Sequence, residues 1–256
     1  MFNLALKYEK AVGDPKEAAK LKTLTRDMRR YVMQSLAALS KYSGKYETWQ
    51  SVRRQAGLKW ESKPAVSIIR ALLSGEADQS YFWLKETLPQ LPREARVELV
   101  WITVSGLRPV EASRSHELLF RLSGEKKLEQ YLDSETSMLC HYKFPALFIR
   151  RTKNAFITFA SPKMLEVLAS SNPTSYNAVW CMIKRRQLEV KTYGLRKYYG
   201  TFLKKTLDRE MIDLLQGRLD ASVFVKHCYR PLIMELRDKV LGAVKPLEEE
   251  LLAFLD

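Results

Sequence analysis

Three short segments of the sequence place arginines and a tyrosine where they could act together on one phosphate group. Residues 105–111 read SGLRPVE, residues 193–196 read YGLR, and residues 217–218 read GR, with Tyr229 further along the chain. A planar guanidinium donates two parallel hydrogen bonds to a phosphate, and fixed donors of this kind stabilise the charge that develops during phosphoryl transfer. These residue types therefore indicate chemistry on a phosphate ester.

The order of these segments resembles the signature of the tyrosine recombinases, the phage integrase family. The first is similar to the family's first box, Gly-Leu-Arg followed by Glu, and the second to the box in which His or Lys stands three residues before Arg. The third is similar to the glycine-containing pair that precedes the nucleophilic tyrosine. Lys153 lies at a predicted turn between the first two boxes, where the family carries a catalytic lysine.

A narrower resemblance is to the integrases of archaeal fuselloviruses and plasmids. Residues 145–160, residues 215–218 (LQGR) and residues 46–60, which end in GLKW, are similar to that group. The likeness covers roughly residues 24–240.

The resemblance implies a reaction and a role for each residue. Arg108 and Arg196 would clamp the oxygens of the scissile phosphate, with Arg218 as a third donor. Tyr229 would attack to form a 3′-phosphotyrosine, and Lys153 would protonate the leaving 5′-oxygen as general acid. The covalent link conserves the bond energy, so we expect no ATP, no metal and no other cofactor.

The sequence departs from the family pattern at two positions. Tyr193 stands where the family has His or Lys. A phenol can donate a hydrogen bond to the phosphate, so Tyr193 is a candidate phosphate-site residue, but it is a poor proton acceptor near neutral pH. Lys191 and Lys197 are candidates to replace the missing base. Arg218 replaces the usual His or Trp, which makes the predicted phosphate site more cationic.

Simpler explanations of the same residues stay open at this point. Arg108 can pair with Glu111 at the start of a helix, and Lys153 can be a solvated turn lysine. Arg196 can be surface charge, and Arg218 can be a cation at a helix C-terminus, where the helix dipole favours it.

The charge of the chain points to a polyanionic partner, either nucleic acid or an acidic membrane surface. The 256 residues carry a net charge of +14, and residues 1–74 hold 15 of the 43 basic residues but 6 of the 29 acidic ones. We expect the basic residues of the N-terminal part to contact DNA. The candidates are Arg26, Arg29, Arg30, Arg53, Arg54 and Lys59.

Other classes of protein receive no support from the sequence. No apolar run approaches the roughly 18 residues of a membrane span, and the three cysteines lie far apart, which favours a reducing interior. No spacing of Cys or His resembles a metal site. We therefore expect an intracellular, cytoplasmic protein associated with the nucleoid and without contact to a membrane.

Apolar periodicity predicts a chain of helices around these residues. One helix is expected over residues 15–42, with Leu24, Met28, Tyr31, Val32, Leu36 and Leu39 on its buried face. Others are expected over residues 46–55, 64–73, 92–104, 109–122, 162–170, 174–188, 194–206, 208–216, 221–228 and 232–254. Residues 146–150 and 155–159 are predicted strands of a hairpin with its turn at 151–154, and residues 75–80 are a predicted polar break.

These elements predict a mainly α protein with a small β hairpin or sheet. Residues 1–74 would form a helical DNA-binding domain and residues 75–256 the catalytic domain of a two-domain tyrosine recombinase. The family implies double-stranded DNA as partner, a homodimer on each site, a homotetramer in the synaptic complex, and integration or excision of a mobile element.

The last predicted helix carries an apolar stripe that must pack either on its own core or on a neighbouring protomer. In the family the segment after the nucleophile commonly docks on the next subunit. We expect that deleting residues 243–256 spares folding and single-site DNA binding but cripples recombination between two sites.

Two other functions stay open. A topoisomerase IB-like or chromosome-dimer resolving enzyme would share the arginines and the tyrosine. A catalytically silent DNA-binding relative would explain Tyr193.

Overall fold

The structure, a computed structural model, describes residues 2–60, 66, 69, 73, 75–150, 153–218 and 232–255. The described chain is mostly helical and contains one three-stranded antiparallel sheet, which confirms the predicted mainly α class with a small sheet. It divides into two compact units, Met1–Leu73 and Ser74–Asp256. Within the described residues, no helix combines the length and the apolar character needed to cross a membrane.

The first unit is a small helical bundle. Its α-helices are α1 (Phe2–Lys7), α2 (Pro15–Lys20), α3 (Arg26–Tyr42) and α4 (Tyr46–Gln55), with 3₁₀ turns at Glu9–Val12 and Leu21–Thr23. Val32, Met33 and Leu36 of α3 pack with Trp49 and Val52 of α4 in one buried core. The predicted helix over residues 64–73 lies largely outside the described residues.

The prediction of one unbroken helix over residues 15–42 is wrong. The extended backbone at Leu24 (ψ 151°) separates α3 from the preceding 3₁₀ turn. The predicted buried face is also rotated, because Met28 is 42% exposed and Tyr31 is 52% exposed while Met33 is buried. The neighbouring helix and turn cover the side of α3 that carries Met33, and periodicity alone does not determine which side is covered.

The second unit holds the remaining helices around one large core. They are α5 (Glu76–Thr87), α6 (Arg93–Ser105), α7 (Pro109–Gly124), α8 (Pro145–Phe148), α9 (Pro162–Ser170), α10 (Tyr176–Arg185), α11 (Thr192–Leu203), α12 (Arg209–Leu215) and α13 (Ile233–Leu252), with 3₁₀ turns at Leu88–Gln90, Leu128–Gln130 and His141–Lys143. The expected helices at 92–104, 109–122 and 162–170 are confirmed within two residues. The expected helix at 221–228 lies outside the described residues.

The predicted polar break over residues 75–80 is wrong. Gly75 adopts a left-handed conformation (φ 63°) at the N-cap, and α5 begins at the next residue. Asp78 and Gln79 of the first turn are exposed, whereas Ser80 and Tyr81 are buried, because α5 packs on the second unit from its second turn onward.

The sheet has the strand order β1 (Leu132–Asp133), β2 (Met138–Leu139) and β3 (Thr158–Phe159), with both pairs antiparallel. Leu139 lies opposite Leu132 on one side and opposite Thr158 on the other. The central strand is therefore far upstream of β3 in sequence.

The predicted hairpin between residues 146–150 and 155–159 is wrong. Its first half is the helical turn α8, which begins with Pro145, a residue whose fixed φ suits the first position of a helix. Phe148 is fully buried against His141, with ring centroids 4.6 Å apart. After α8 the Ala155 amide donates a hydrogen bond to the Phe148 carbonyl at 3.1 Å, and residues 151–152 of the predicted turn lie outside the described residues.

The C-terminal helix α13 packs on its own unit, which decides between the two alternatives for its apolar stripe. All six predicted stripe residues are buried in the core of the second unit. They are Leu236, Val240, Val244, Leu247, Leu251 and Leu255. Near the end of the helix, Glu250 accepts hydrogen bonds from the Tyr81 hydroxyl at 2.7 Å and from Lys85 Nζ at 3.0 Å, and Ser161 donates to Glu248.

Candidate phosphate-binding site

Arg108 is held at the start of α7 by a buried carboxylate. Pro109 occupies the first helical position, and Glu111 Oε2 accepts a hydrogen bond from the Arg108 backbone amide at 3.1 Å. The Glu111 side chain is fully buried, and its Oε1 lies 2.8 Å from Arg108 Nη1. The ion pair that was open as a simpler explanation is thus present, and it also fixes the direction of the guanidinium, whose side chain stays 26% exposed.

Arg196 is a mostly buried cation whose hydrogen-bond partners are backbone carbonyls. Its Nη1 donates to the Gly106 carbonyl at 2.8 Å and its Nη2 donates to the Gln216 carbonyl at 2.5 Å. Burial, together with the nearby positive charge of Arg108, lowers the pKa of Arg196 to about 10. Arg196 is therefore not simple surface charge, and it stays protonated at neutral pH.

Gly106 allows the first box to approach α11 closely. Its φ is 63°, and a Cβ at this position would lie 2.1 Å from a ring carbon of the buried Tyr199. Since Tyr199 is three residues after Arg196 in α11, this contact joins the two predicted arginine boxes.

Arg218 follows a second glycine in the left-handed conformation. Gly217 has φ 64°, and a Cβ there would lie 1.9 Å from the Asn154 carbonyl oxygen. The Arg218 guanidinium lies 3.3 Å from Asp213 Oδ1, and its side chain is 53% exposed. It also contributes to the positive field at Arg196.

Asn154 connects the loop after α8 to the arginines. Its backbone carbonyl accepts a hydrogen bond from Arg108 Nη1 at 3.2 Å and also contacts Gly217. Lys153, the preceding residue, is exposed. The loop therefore brings Lys153 next to the Arg108 and Arg218 segments, although the predicted hairpin is absent.

The structure thus brings together three predicted arginines, Arg108, Arg196 and Arg218, with the backbone of Lys153 nearby, and adds a fourth arginine that the sequence analysis did not single out. Arg150 Nη2 lies 2.7 Å from Glu111 Oε1, the oxygen that Arg108 also contacts. In the sequence Arg150 is one of two adjacent arginines within the segment 145–160 that carries the narrower resemblance, but the resemblance assigns no role to either of them. We call this set the arginine cluster, and its members are Arg108, Arg150, Arg196 and Arg218, with the carboxylates of Glu111 and Asp213.

Tyr193 is not enclosed by the cluster. It lies in the first turn of α11 and is 75% exposed. Of the two candidate replacement bases, Lys191 lies 3.2 Å from the Glu189 carboxylate, and Lys197 is exposed. The predicted nucleophile Tyr229 lies outside the described residues.

A buried polar network anchors α7, the helix that begins beside Arg108. Glu98 of α6 and His116 of α7 are fully buried, and Glu98 Oε1 lies 2.7 Å from His116 Nδ1. His116 Nε2 lies within hydrogen-bond distance of the carbonyls of Leu168 and Ser171, at 2.9 and 3.0 Å. These contacts hold α6, α7 and the C-terminal end of α9 together.

Several of the predicted DNA-binding residues lie together in the first unit. Arg26, Arg29, Arg30, Lys59 and Trp60 line one shallow pocket. The Arg53 guanidinium lies over the Trp60 ring, 5.8 Å from its centroid. Arg54 is exposed on α4.

The chain matches no protein-family model, no curated protein and no solved structure. In the described part of the chain, no three or more His, Cys, Asp or Glu side chains are grouped so that they could hold a metal ion.

Proposed function

We propose that this chain is a tyrosine site-specific recombinase that cuts and rejoins DNA strands through a 3′-phosphotyrosine intermediate. The observation that supports it best is the convergence of Arg108, Arg196 and Arg218, three arginines that are far apart in sequence. Arg196 is mostly buried, and the two groups that accept its hydrogen bonds are neutral carbonyls. A bound phosphate would provide the negative charge that these carbonyls do not provide to the guanidinium.

Three arginines of the cluster, together with Lys153 and Tyr229, have parts in this reaction. Arg108 and Arg196 donate to the non-bridging oxygens, and their fixed partners mean that little reorganisation is needed when charge develops. Arg218 provides further positive charge. Tyr229 attacks the phosphorus through its phenolate, the bond to the 5′-oxygen breaks, and Lys153 delivers a proton to that oxygen. Rejoining is the reverse reaction, so the proposal includes no metal and no nucleotide cofactor.

The first unit provides sequence-tolerant affinity in this proposal. Its pocket of arginines and Lys59 suits the phosphates of duplex DNA. Because these side chains neutralise phosphates and release bound counterions, the affinity for DNA should depend strongly on salt concentration. A homodimer on each site and a homotetramer during strand exchange belong to the same proposal, as does a cytoplasmic, nucleoid-associated location.

A covalent-adduct assay tests the proposal. The substrate is a pool of nicked duplexes with random flanks whose cut releases a short oligonucleotide, so that the adduct cannot be religated. The wild-type chain should form a covalent protein–DNA adduct, and Tyr229→Phe should form none while binding DNA within a few-fold. The control is Tyr42→Phe, since Tyr42 is 93% exposed in the first unit. Adduct formation by Tyr229→Phe would refute the assignment of the nucleophile.

The exposed Tyr193 favours a second candidate, a catalytically silent DNA-binding relative. That candidate predicts salt-dependent DNA binding by the wild-type chain without any adduct. A topoisomerase IB-like enzyme would instead form the adduct and relax a supercoiled plasmid, but it would not recombine two sites.

A further inference from the structure

Arg150 is the member of the arginine cluster to which the resemblance assigns no role. Its Nη2 donates to Glu111 Oε1 at 2.7 Å, and its backbone amide donates to Asn154 Oδ1 at 2.9 Å. The Arg150 side chain is 40% exposed. Both the backbone and the guanidinium are therefore held in place, while part of the side chain faces solvent.

The carboxylate that holds Arg150 is already used by Arg108. The two guanidiniums donate to the same oxygen of Glu111, and that side chain is fully buried. One negative charge cannot neutralise two guanidiniums, so the pair retains excess positive charge. A guanidinium has five N–H donors, and the contact with Glu111 leaves others to face a ligand.

We propose that Arg150 contacts the scissile phosphate of DNA as a fourth arginine, aligned beside Arg108 by the shared Glu111. The inference rests on the proposed function and extends the phosphate site by one residue. It also gives a chemical reason for the departure at Tyr193, because Arg150 restores a cationic donor to a site in which a phenol stands where the family has His or Lys.

The test compares Arg150→Ala with a matched control, Arg121→Ala. Arg121 is an exposed arginine of α7, about 20 Å along the helix axis from Arg108 at 1.5 Å per residue. The same charge is therefore removed far from the cluster. Arg150→Lys and thermal melting of each variant separate the loss of the donor from a loss of folding.

The measurement is the single-turnover rate of adduct formation on the nicked duplex pool. A second pool carries a methylphosphonate at the scissile position, which removes the negative charge of one non-bridging oxygen. Arg150→Ala should slow adduct formation about 100-fold on phosphate, as losing one transition-state donor typically does, and only a few-fold on methylphosphonate. Arg150→Lys should recover part of the rate, and binding should change little.

Three results would overturn the inference, and they can be told apart. If the wild-type chain forms no adduct, the proposed function fails and the inference fails with it. If the wild type reacts and Arg150→Ala behaves like the Arg121 control, the inference alone fails. Equal losses on phosphate and methylphosphonate would show that Arg150 does not contact the scissile phosphate.

Discussion

Replacing Gly217 by alanine adds only one methyl group, but we expect this small change to disrupt the candidate site. In Gly217→Ala the added methyl group would lie 1.9 Å from the Asn154 carbonyl oxygen, and ordinary van der Waals contact begins at 3.4 Å. The Asn154 carbonyl or the glycine must therefore shift by more than about 1 Å. Arg108 Nη1 donates to that carbonyl at 3.2 Å, so a shift of this size breaks the hydrogen bond.

The expected magnitudes follow from two separate costs. A non-glycine residue in the left-handed conformation costs about 1–2 kcal/mol, and overpacking costs about 1–3 kcal/mol more. For a unit of this size the sum lowers the melting temperature by roughly 5–15 °C. Displacement of the phosphate-binding groups by about 1 Å should lower the adduct rate about 100-fold.

Two further glycine variants make the test specific. A Cβ at Gly242, within α13, would meet nothing within 4 Å, so Gly242→Ala should stabilise the protein by up to about 1 kcal/mol and leave the rate unchanged. Gly217→Asn tolerates the positive φ but keeps the clash. If Gly217→Ala melts and reacts like the wild type, the contact between Gly217 and Asn154 does not exist in solution, and the described cluster is wrong.

Four other expectations can be tested with the same protein. Lys153→Ala should slow adduct formation about 100-fold on a normal duplex, but only slightly on a 5′-bridging phosphorothiolate, whose thiolate leaves without a proton; an equal loss on both would exclude Lys153 as the general acid. Burial lowers the pKa of His141 to about 3, against a pKa of about 6.5 in the unfolded chain. The contribution of neutral His141 to stability is therefore complete above pH 6.5 and is lost as the pH falls from 6.5 towards 3. The loss is at most about 1.4 kcal/mol of unfolding free energy per pH unit. His141→Gln should flatten urea-unfolding free energies over that range, and an unchanged slope would assign the acid sensitivity to other groups. Deleting residues 243–256 removes five residues of the core and should unfold the second unit by circular dichroism, contrary to the expectation from the sequence; a cooperative melt of the truncated chain would contradict the packing of α13. Charge reversal at Arg30 and Lys59 should lower the log–log salt dependence of DNA binding by about 0.9 for each lost phosphate contact, and an unchanged slope would mean that this surface does not bind DNA.

The sequence predicted the elements whose signals are local. Two residues mark the start of α7. Pro109 occupies the first helical position, and the Glu111 side chain accepts a hydrogen bond from the Arg108 backbone amide, so that both signals lie within four residues. Likewise Ser161 caps α9 by accepting a hydrogen bond from the Met164 amide at 3.0 Å. Helix ends of this kind depend on nearest neighbours, so a single sequence specifies them.

The elements that were predicted wrongly depend on distant partners. The strand at Thr158–Phe159 forms because Met138–Leu139 lies beside it, and a pairing across the intervening loop leaves no local pattern. Arg150 was missed for the same reason, since its importance comes from the buried Glu111 on another element. The cluster itself was predicted from motif order, but the contacts through Asn154, Gly106 and Gly217 are visible only in three dimensions.

The packing of α13 has a consequence for how the second unit folds. Tyr81 and Lys85 of its first helix contact Glu250 of its last, separated by 169 and 165 residues. Contacts of such high sequence separation slow folding, because a long loop must close before they form. During synthesis, the parts of α5 and α6 that contact α13 stay uncovered until this last helix has emerged from the ribosome. We therefore expect this unit to complete its folding after translation, and its incomplete nascent chains to bind chaperones.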